Sequence, residues 1–514
     1  VSLRVLVPVR REAVAIVISA LLFGIAFPPF PLLVPAFVCL VPVTLAVVRR
    51  ADAQQRWQGA ARIGFWFGLI AYGVNLYWIA IALRIYTNLA ILGYVASLLV
   101  LAPVVAIAMA VLSAARRTTR LPLAVLLPVI WVASELLLDH MGPLAFPWLP
   151  LGLSVSGVPA LSQAADISGV RGLSFWIALT NGLIVDAWML RKARRAVLSR
   201  AAIIALLLLL VEAYGIWRVD SIQLRPVAPV AIVQPNVPQT EKWQAQYQWK
   251  IVGMLASLSR ERLARHDAAL MLWPEAALPG FLSQHPDWAD TVRTLARDYH
   301  TPIIFGVLDL VYYPNGDFDY YNAAMLADSM GTIGTQPTYH KSYLVPIVER
   351  VPFVNPRWFA KFNYFGGYGR GGAPVPFRLP FGKVGVLICY ESIFPQRSRQ
   401  YRRDGVSLLV NITNDAWFGR SLAPHQHAAH LVMRAIENRV GIVRAANTGI
   451  SEYVDPLGDV HGATDLFVPA TATYQAQTTD LIPLYVRVGD WIGTLSALAT
   501  LALVVLAWRR RRTP

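Results

Sequence analysis

Cysteine is almost missing from this chain: 514 residues carry two, Cys39 and Cys389. Two thiols in stretches of different character make no disulfide framework, so either can act only as a free thiol. Charge is scarce too. Asp, Glu, Lys and Arg make up 15% of the residues, against about 25% in ordinary soluble proteins. With 56% of the residues apolar, a disordered chain is excluded. Repeats and low-complexity tracts are also lacking, which excludes a solenoid. What is abundant is unevenly placed. The apolar residues gather in the first 217 positions and the last 25, so the chain reads as part membrane, part globular.

A formal charge of +16 raises nucleic acid as a partner, but the positions of the basic residues argue for membrane topology instead. Arg4, Arg10 and Arg11 precede the first apolar run, and Arg49, Arg50, Arg56 and Arg62 lie between the second and third. Arg116, Arg117 and Arg120 follow the fourth, Arg191, Lys192, Arg194, Arg195 and Arg200 separate the sixth and seventh, and Arg509 to Arg512 close the chain. The alternate loops near Pro28, Asn88 and Pro147 carry almost none except Arg84. This alternation is the positive-inside pattern. The segment between Ser221 and Val488 holds 24 basic and 21 acidic residues, a balance of only +3. No nucleic-acid partner is expected.

Apolar runs near 13–27, 31–48, 63–83, 89–114, 121–138, 169–190, 201–217 and 489–508 predict eight membrane spans, several close to the roughly 20 residues a helix needs. The first run is read as a span rather than a cleaved leader, because further spans follow and it lacks a small-residue cleavage site. The first two runs are short and joined by Phe27-Pro28-Pro29-Phe30; a re-entrant hairpin there leaves the parity unchanged. Seven spans before residue 218 place the following segment on the far side, the periplasm of a bacterium, with both termini cytoplasmic. The expected divisions are 1–219, 220–486 and 487–514. Glu135, Asp139, Asp166 and Asp186 sit near predicted span ends, where a carboxylate at the interface escapes the cost of mid-bilayer burial. A transporter would instead carry ionisable groups inside its spans and paired broken segments.

From Pro226 onward short apolar runs alternate with amphipathic stretches, an α/β or α+β pattern. Strands are predicted at 227–233, 268–273, 302–307, 320–327, 383–389 and 407–412, and helices at 244–263, 288–299 and 425–438. Three elements end in reactive residues. Cys389 closes an apolar strand at Ile388-Cys389-Tyr390-Glu391, at the rim where α/β enzymes hold reactive groups and where following N–H groups can meet an oxyanion. By itself it also reads as a small buried hydrophobe. Glu275 follows Trp273-Pro274, whose proline keeps the preceding residue extended. Lys341 lies in Tyr339-His340-Lys341-Ser342. Together they supply a nucleophile, a proton acceptor and a fixed cation, the parts of thioester acyl transfer. His425, His427 and His430 near Asp415 also admit a metal site, but thiol chemistry needs no cation and no cofactor is expected.

Trp273-Pro274-Glu275, Lys341 with Leu344-Val345-Pro346, and Ile388-Cys389-Tyr390-Glu391 resemble the Glu–Lys–Cys signature of the nitrilase superfamily of carbon–nitrogen hydrolases. With the flanking spans, Asn414-Asp415-Ala416-Trp417-Phe418-Gly419, Arg444-Ala445-Ala446-Asn447-Thr448-Gly449, Gln234-Pro235-Asn236 and Phe146-Pro147-Trp148, nearly the whole chain resembles the apolipoprotein N-acyltransferase family. The resemblance implies a multi-span helical membrane domain plus a nitrilase-like α-β-β-α sandwich. It implies transfer of an acyl chain from a membrane phospholipid to the α-amino group of a diacylglyceryl-cysteine apolipoprotein. Cys389 would be the nucleophile, Glu275 the base, Lys341 the oxyanion cation, Glu349 its support and the Tyr390 N–H a second oxyanion donor. Trp243, Tyr390 and Glu391 would shape the pocket, with Asn414, Trp417, Phe146 and Trp148 as further substrate contacts. One departure stands out: residues 344–349 read Leu-Val-Pro-Ile-Val-Glu where the family has Leu-Val-Pro-Phe-Gly-Glu. Val348 does not readily take the positive φ of glycine, so a different local path to Glu349 is expected. The same trio would also serve a membrane-tethered amidase or nitrilase, since it does not fix whether water or an amine resolves the thioester.

Overall fold

The computed structural model describes residues 7–359 and 366–510; Arg4, Arg511 and Arg512 of the basic clusters lie outside them. The chain divides into two compact units, Val1–Ser221 with Val488–Pro514, and Ile222–Arg487.

The first unit is helical. Among the described residues five helices are long and apolar enough to cross a membrane: Val34–Asp52, Ala90–Thr119, Ala165–Met189, Arg194–Ser221 and Trp491–Arg509, with Trp57–Leu76 and Trp78–Arg84 forming a bent pair of 57°. Two expected spans fall on shorter helices, Arg10–Gly24 of 15 residues and Leu123–Asp139 of 17. Helix Arg194–Ser221 is apolar around its circumference and buries only Gly215, as suits a helix whose solvent is lipid. That glycine allows close approach, because a Cβ there would stand 1.8 Å from the Ala160 carbonyl oxygen.

Charge inside this unit is paired. Glu12 takes Arg50 and Arg62, each at 2.6 Å. The four carboxylates expected at span ends are buried within the unit, and each has partners that offset part of its desolvation cost. Arg171 pairs with Asp139 at 2.6 Å and also with Asp490, which caps helix Trp491–Arg509 through the Gly493 N–H. Asp166 takes Arg218 at 2.6 Å and the Tyr214 hydroxyl at 2.7 Å. Asp186 accepts from Leu123 and Ala124 N–H, both at 3.0 Å, satisfying first-turn donors of Leu123–Asp139. Glu135 accepts from Trp131 Nε1 at 2.9 Å and Leu151 N–H at 2.7 Å.

The second unit contains two six-stranded sheets among the described residues. The first is built from β1 (Arg225–Gln234), β2 (Leu270–Leu272), β3 (Ile303–Tyr312), β4 (Phe318–Ala327) and β5 (Tyr339–His340). The second contains β6 (Phe377–Leu379), β7 (Gly382–Ile388), β8 (Leu408–Thr413), β9 (Ile442–Ala446), β10 (Glu452–Val454) and β11 (Val460–His461). The last strand, β12 (Ala470–Thr478), returns to the first sheet, whose order is β12-β1-β2-β3-β4-β5; the second runs β11-β10-β9-β8-β7-β6. β1, β2 and β3 are parallel, as are β7, β8 and β9. All six predicted strands and all three predicted helices are present, within a few residues of their expected ends.

The sheets face one another, β1 and β12 against β8 and β9. Helices Ala245–Leu263 and Pro286–Asp298 cover the outer face of the first sheet, and Pro395–Arg403 and Ala423–Asn438 that of the second. This is an α-β-β-α sandwich. Alternation along β1 sends Ala231 and Val233 into a core with Leu255, Trp273, Val292 and Phe305. Trp273 is fully buried and donates from its ring to Ser259 Oγ at 2.9 Å, so its polar edge is satisfied. The ends of β2, β5, β7 and β8 carry the residues of interest.

Candidate active site

Each reactive side chain stands where a strand stops. β7 ends at Ile388, and Cys389 enters a short 3-10 turn, Cys389–Ile393, with φ of 49°. A non-glycine residue in this left-handed region is strained and must be held by its surroundings. Glu275 follows β2, and Ala276 after it also has positive φ, 45°. Gly306 of β3 makes room for this bend: a Cβ there would lie 2.4 Å from the Pro274 carbonyl oxygen. Lys341 follows β5 and donates its own N–H to Asn322 O of β4 at 2.9 Å.

Lys341, Glu275 and Glu349 meet in the interior, exposed by 1%, 5% and 8%. Lys341 Nζ lies 3.1 Å from Glu275 Oε1 and 2.8 Å from Glu349 Oε1. Asn322 Nδ2 donates to the same two oxygens, at 2.6 and 3.0 Å. Glu275 Oε2 accepts from the Asn414 N–H at 2.9 Å, and Glu349 Oε2 from the Val345 N–H at 2.8 Å. Glu275 is thereby fixed by elements from both sheets. The replaced Phe-Gly pair does not divert Glu349. Positive φ falls on Ile347, at 70°, rather than on Val348, and a backbone bond from Glu349 N–H to Val345 O at 3.0 Å closes the turn.

Burial pushes the Cys389 thiol well above its ordinary pKa, Glu275 adds to the rise, and Lys341 opposes it. Burial works against the Lys341 ammonium, but Glu275 and Glu349 outweigh it and leave its pKa well above that of a free lysine. The resting pair is therefore a neutral thiol beside a permanent cation. A nucleophile arises only if a base takes the thiol proton as attack proceeds.

Two further networks brace the elbow. Glu391 is fully buried. Its Oε1 accepts from Ser342 N–H at 2.8 Å, Ser342 Oγ at 2.7 Å and Tyr343 N–H at 3.3 Å. Its Oε2 accepts from Tyr339 Oη at 2.7 Å and Ile388 N–H at 2.9 Å. Glu391 ties the cysteine turn to the lysine loop, both oxygens occupied. The second network was not read from the sequence. His427 Nε2 lies 3.1 Å from the Cys389 carbonyl oxygen, and Nδ1 lies 3.2 Å from Arg444 Nη2 and 3.1 Å from Asp415 Oδ1. Arg444 Nη2 donates to Asp415 Oδ2 at 2.6 Å. Burial lowers the His427 pKa, with Arg444 next. The neutral tautomer that gives the Cys389 carbonyl a donor is the one whose Nδ1 accepts from Arg444. Burial works against the Asp415 carboxylate, yet Arg444 and His427 outweigh it and hold its pKa at about 2. Among the described residues, no group of three His, Cys, Asp or Glu side chains is placed to hold a metal ion.

The remaining expected residues separate. Tyr390 is buried in the turn, its ring edge-on to Phe394 at 5.2 Å. Trp243 packs with Phe281 and Leu344 against Leu308, Tyr320 and Tyr368. Asn414, 2% exposed, braces its neighbours through Gln239 Oε1 at 2.8 Å and Asn447 Nδ2 at 2.9 Å. Trp417 is half-buried in the short helix Asp415–Phe418. Phe146 and Trp148 belong to the helical unit, where they stack at 5.6 Å and Trp148 meets Trp78 at 4.7 Å.

Comparison with known proteins follows the same division. Residues 229–483 match the carbon-nitrogen hydrolase family, and residues 19–183 match the apolipoprotein N-acyltransferase N-terminal domain. An apolipoprotein N-acyltransferase of Geobacter metallireducens is 34% identical, across 98% of this chain and 96% of its own length. That of Shewanella oneidensis is 32% identical over 79% of each chain, and that of Chlorobaculum tepidum 29% over 96% of each. Among solved structures, an amidase from Nesterenkonia sp. aligns with 52% of this chain and 95% of its own, at 19% identity and a TM-score of 0.36.

Proposed function

The chain belongs to the apolipoprotein N-acyltransferase family, and from that premise we propose that it moves an acyl chain from a membrane phospholipid to the N-terminal α-amino group of a diacylglyceryl-cysteine apolipoprotein. The observation that carries the residue assignment is the meeting of Lys341 with Glu275 and Glu349 in the charge environment of Cys389.

Cys389 Sγ attacks the ester carbonyl of the phospholipid while Glu275 takes the thiol proton. The new oxyanion faces the Lys341 ammonium and the Tyr390 N–H, donors that gain strength as charge develops. Collapse breaks the ester C–O bond; Glu275 returns the proton to the departing alcohol oxygen, and lysophospholipid leaves an S-acyl Cys389. The acceptor amine then attacks the thioester and gives a proton to Glu275; collapse breaks the C–S bond to form the amide, and Glu275 passes that proton to the departing sulfur, restoring the Cys389 thiol and its own carboxylate. Lysophospholipid departs before the acceptor amine reacts with the S-acyl enzyme, which gives ping-pong kinetics. Glu349 holds Lys341 in place through its own ion pair at 2.8 Å.

In this reading the eight apolar runs are eight spans of a bacterial inner membrane, both termini are cytoplasmic, and the segment from about 220 to 486 is periplasmic. Residues 1–219 and 487–514 then anchor the catalytic domain in the membrane that holds its lipid donor; Trp243 and Trp417 are apolar contacts for acyl chains in the catalytic domain, and in the helical unit Phe146 is one, backed by the buried Trp148.

The test is transfer of a labelled acyl chain from phospholipid vesicles to a diacylated lipopeptide bearing a free α-amine. Label in the lipopeptide amide supports the proposal. Hydrolysis of a soluble amide without transfer would identify a tethered amidase instead.

A further inference from the structure

The buried charges around Cys389 do not sum to zero within the trio. Glu275 and Glu349 contribute two negative charges and Lys341 one positive. When Glu275 takes the thiol proton, the oxyanion replaces the carboxylate charge, so the residual negative charge persists into the tetrahedral state. An uncompensated charge in a buried site is costly.

Lys242 supplies what is missing. It ends the short helix Gln239–Lys242, is 2% exposed, and donates from Nζ to the main-chain carbonyl of Glu275 at 3.0 Å. Nζ also lies over the face of Trp243, 5.9 Å from the ring centroid. Among the described residues no carboxylate lies within ion-pairing distance of it. A lysine ammonium carries three protons, so this one is not consumed by its surroundings as Arg444 is by Asp415.

We propose that Lys242 is the second ammonium of the centre, a positioning residue that pins the Glu275 main chain and cancels the negative charge left by Glu275, Lys341 and Glu349 in the tetrahedral state. The proposal rests on the acyl-transfer reading of Cys389. Burial pushes the Lys242 pKa down, while Glu275 and Cys389 oppose the fall, and the balance stands at about 8. The titratable groups that bear on it are Glu275 after β2 and Cys389 after β7; Lys341 and Glu349 pair with each other next to Glu275, and Glu241 precedes Lys242 on its own helix. Lys242 is therefore mostly charged at neutral pH and neutral in moderately alkaline solution.

The test measures the rate of S-acyl adduct formation at Cys389, with full-length protein in phosphatidylethanolamine vesicles and no acceptor, over a range of about pH 6 to 10. Wild type is expected to lose rate above about pH 8. Lys242→Met is expected to be slower at neutral pH by roughly tenfold to a hundredfold and to lose the alkaline fall. Lys242→Arg keeps the charge at high pH and is expected to lose the alkaline fall while recovering rate relative to Lys242→Met. A uniform slowing in Lys242→Met that preserves the alkaline fall, or an alkaline fall that persists in Lys242→Arg, overturns the proposal and leaves acyl transfer standing. No adduct in wild type overturns both.

Discussion

Both units bury charged groups, but they use them differently. In the helical unit three buried carboxylates are closed by arginines: Glu12 with Arg50 and Arg62, Asp139 with Arg171, Asp166 with Arg218. These pairs join residues far apart in sequence and fix how helices pack. In the sandwich unit Lys341 serves two carboxylates and acts on a thiol at the same time. Closed pairs hold a structure, whereas a shared charge can respond when a new one forms beside it.

If this contrast is correct, substitutions in the two units should separate activity from stability. The largest effect belongs to Cys389→Ala, which should eliminate transfer to lipopeptide while leaving the thermal unfolding midpoint near that of wild type. Next, Glu275→Gln should lower the transfer rate by roughly 10²–10⁴-fold, and Lys341→Met by roughly 10²–10³-fold, both read in the vesicle assay. Glu349→Gln, which keeps the shape but drops one charge, should cost less than either; full activity there would remove Glu349 from the account.

Arg171→Met in the helical unit should do the reverse. Leaving Asp139 and Asp490 without their cation should destabilise the fold by about 3–5 kcal/mol, seen as a lower unfolding midpoint in detergent, while the adduct rate per folded molecule stays within about twofold of wild type. A large loss of rate without a loss of stability would break the contrast.

The smallest effect is a pH dependence at Glu452, whose carboxyl burial raises to about 7, with Arg444 opposing the rise and Asp415 adding to it. Its Oε1 is buried without a hydrogen-bond partner. Because the folded pKa is raised, the folded state holds this proton more tightly than the unfolded chain. The associated stability is complete below about pH 4.5 and declines as pH rises through about 7. Glu452→Gln should therefore match wild type at acid pH and exceed it by about 2–3 kcal/mol at pH 8. Equal unfolding midpoints at both pH values would count against the assignment.

Much of the site was legible because its chemistry sits at strand ends. An apolar run stopping at Cys389, another at Trp273-Pro274-Glu275, and a lysine after Tyr339-His340 are local signals, and the elements carrying them formed as expected. What local pattern cannot show is who meets whom across the sandwich. His427, Asp415 and Arg444 come from a helix, a turn and β9, and they converge on the Cys389 carbonyl only after both parallel crossovers are made. Their sequence signal was only a histidine cluster that also admitted a metal. The resemblance marks Glu391 as a pocket position, and only the structure reveals its five donors. Val348 was read as the obstacle to a glycine-like turn, yet the chain moved the strained φ one residue earlier, to Ile347. In the helical unit, composition marked the apolar runs but not their partners, so neither the arginine partners of Asp139 and Asp166 nor the main-chain donors to Glu135 and Asp186 were legible.

The most direct test is mass spectrometry of wild-type enzyme incubated with phospholipid and no acceptor. The account predicts one acyl chain, released by neutral hydroxylamine, on the peptide containing Cys389 and absent in Cys389→Ala. An unmodified wild-type peptide, or an acyl group that remains after residue 389 is replaced, would contradict it.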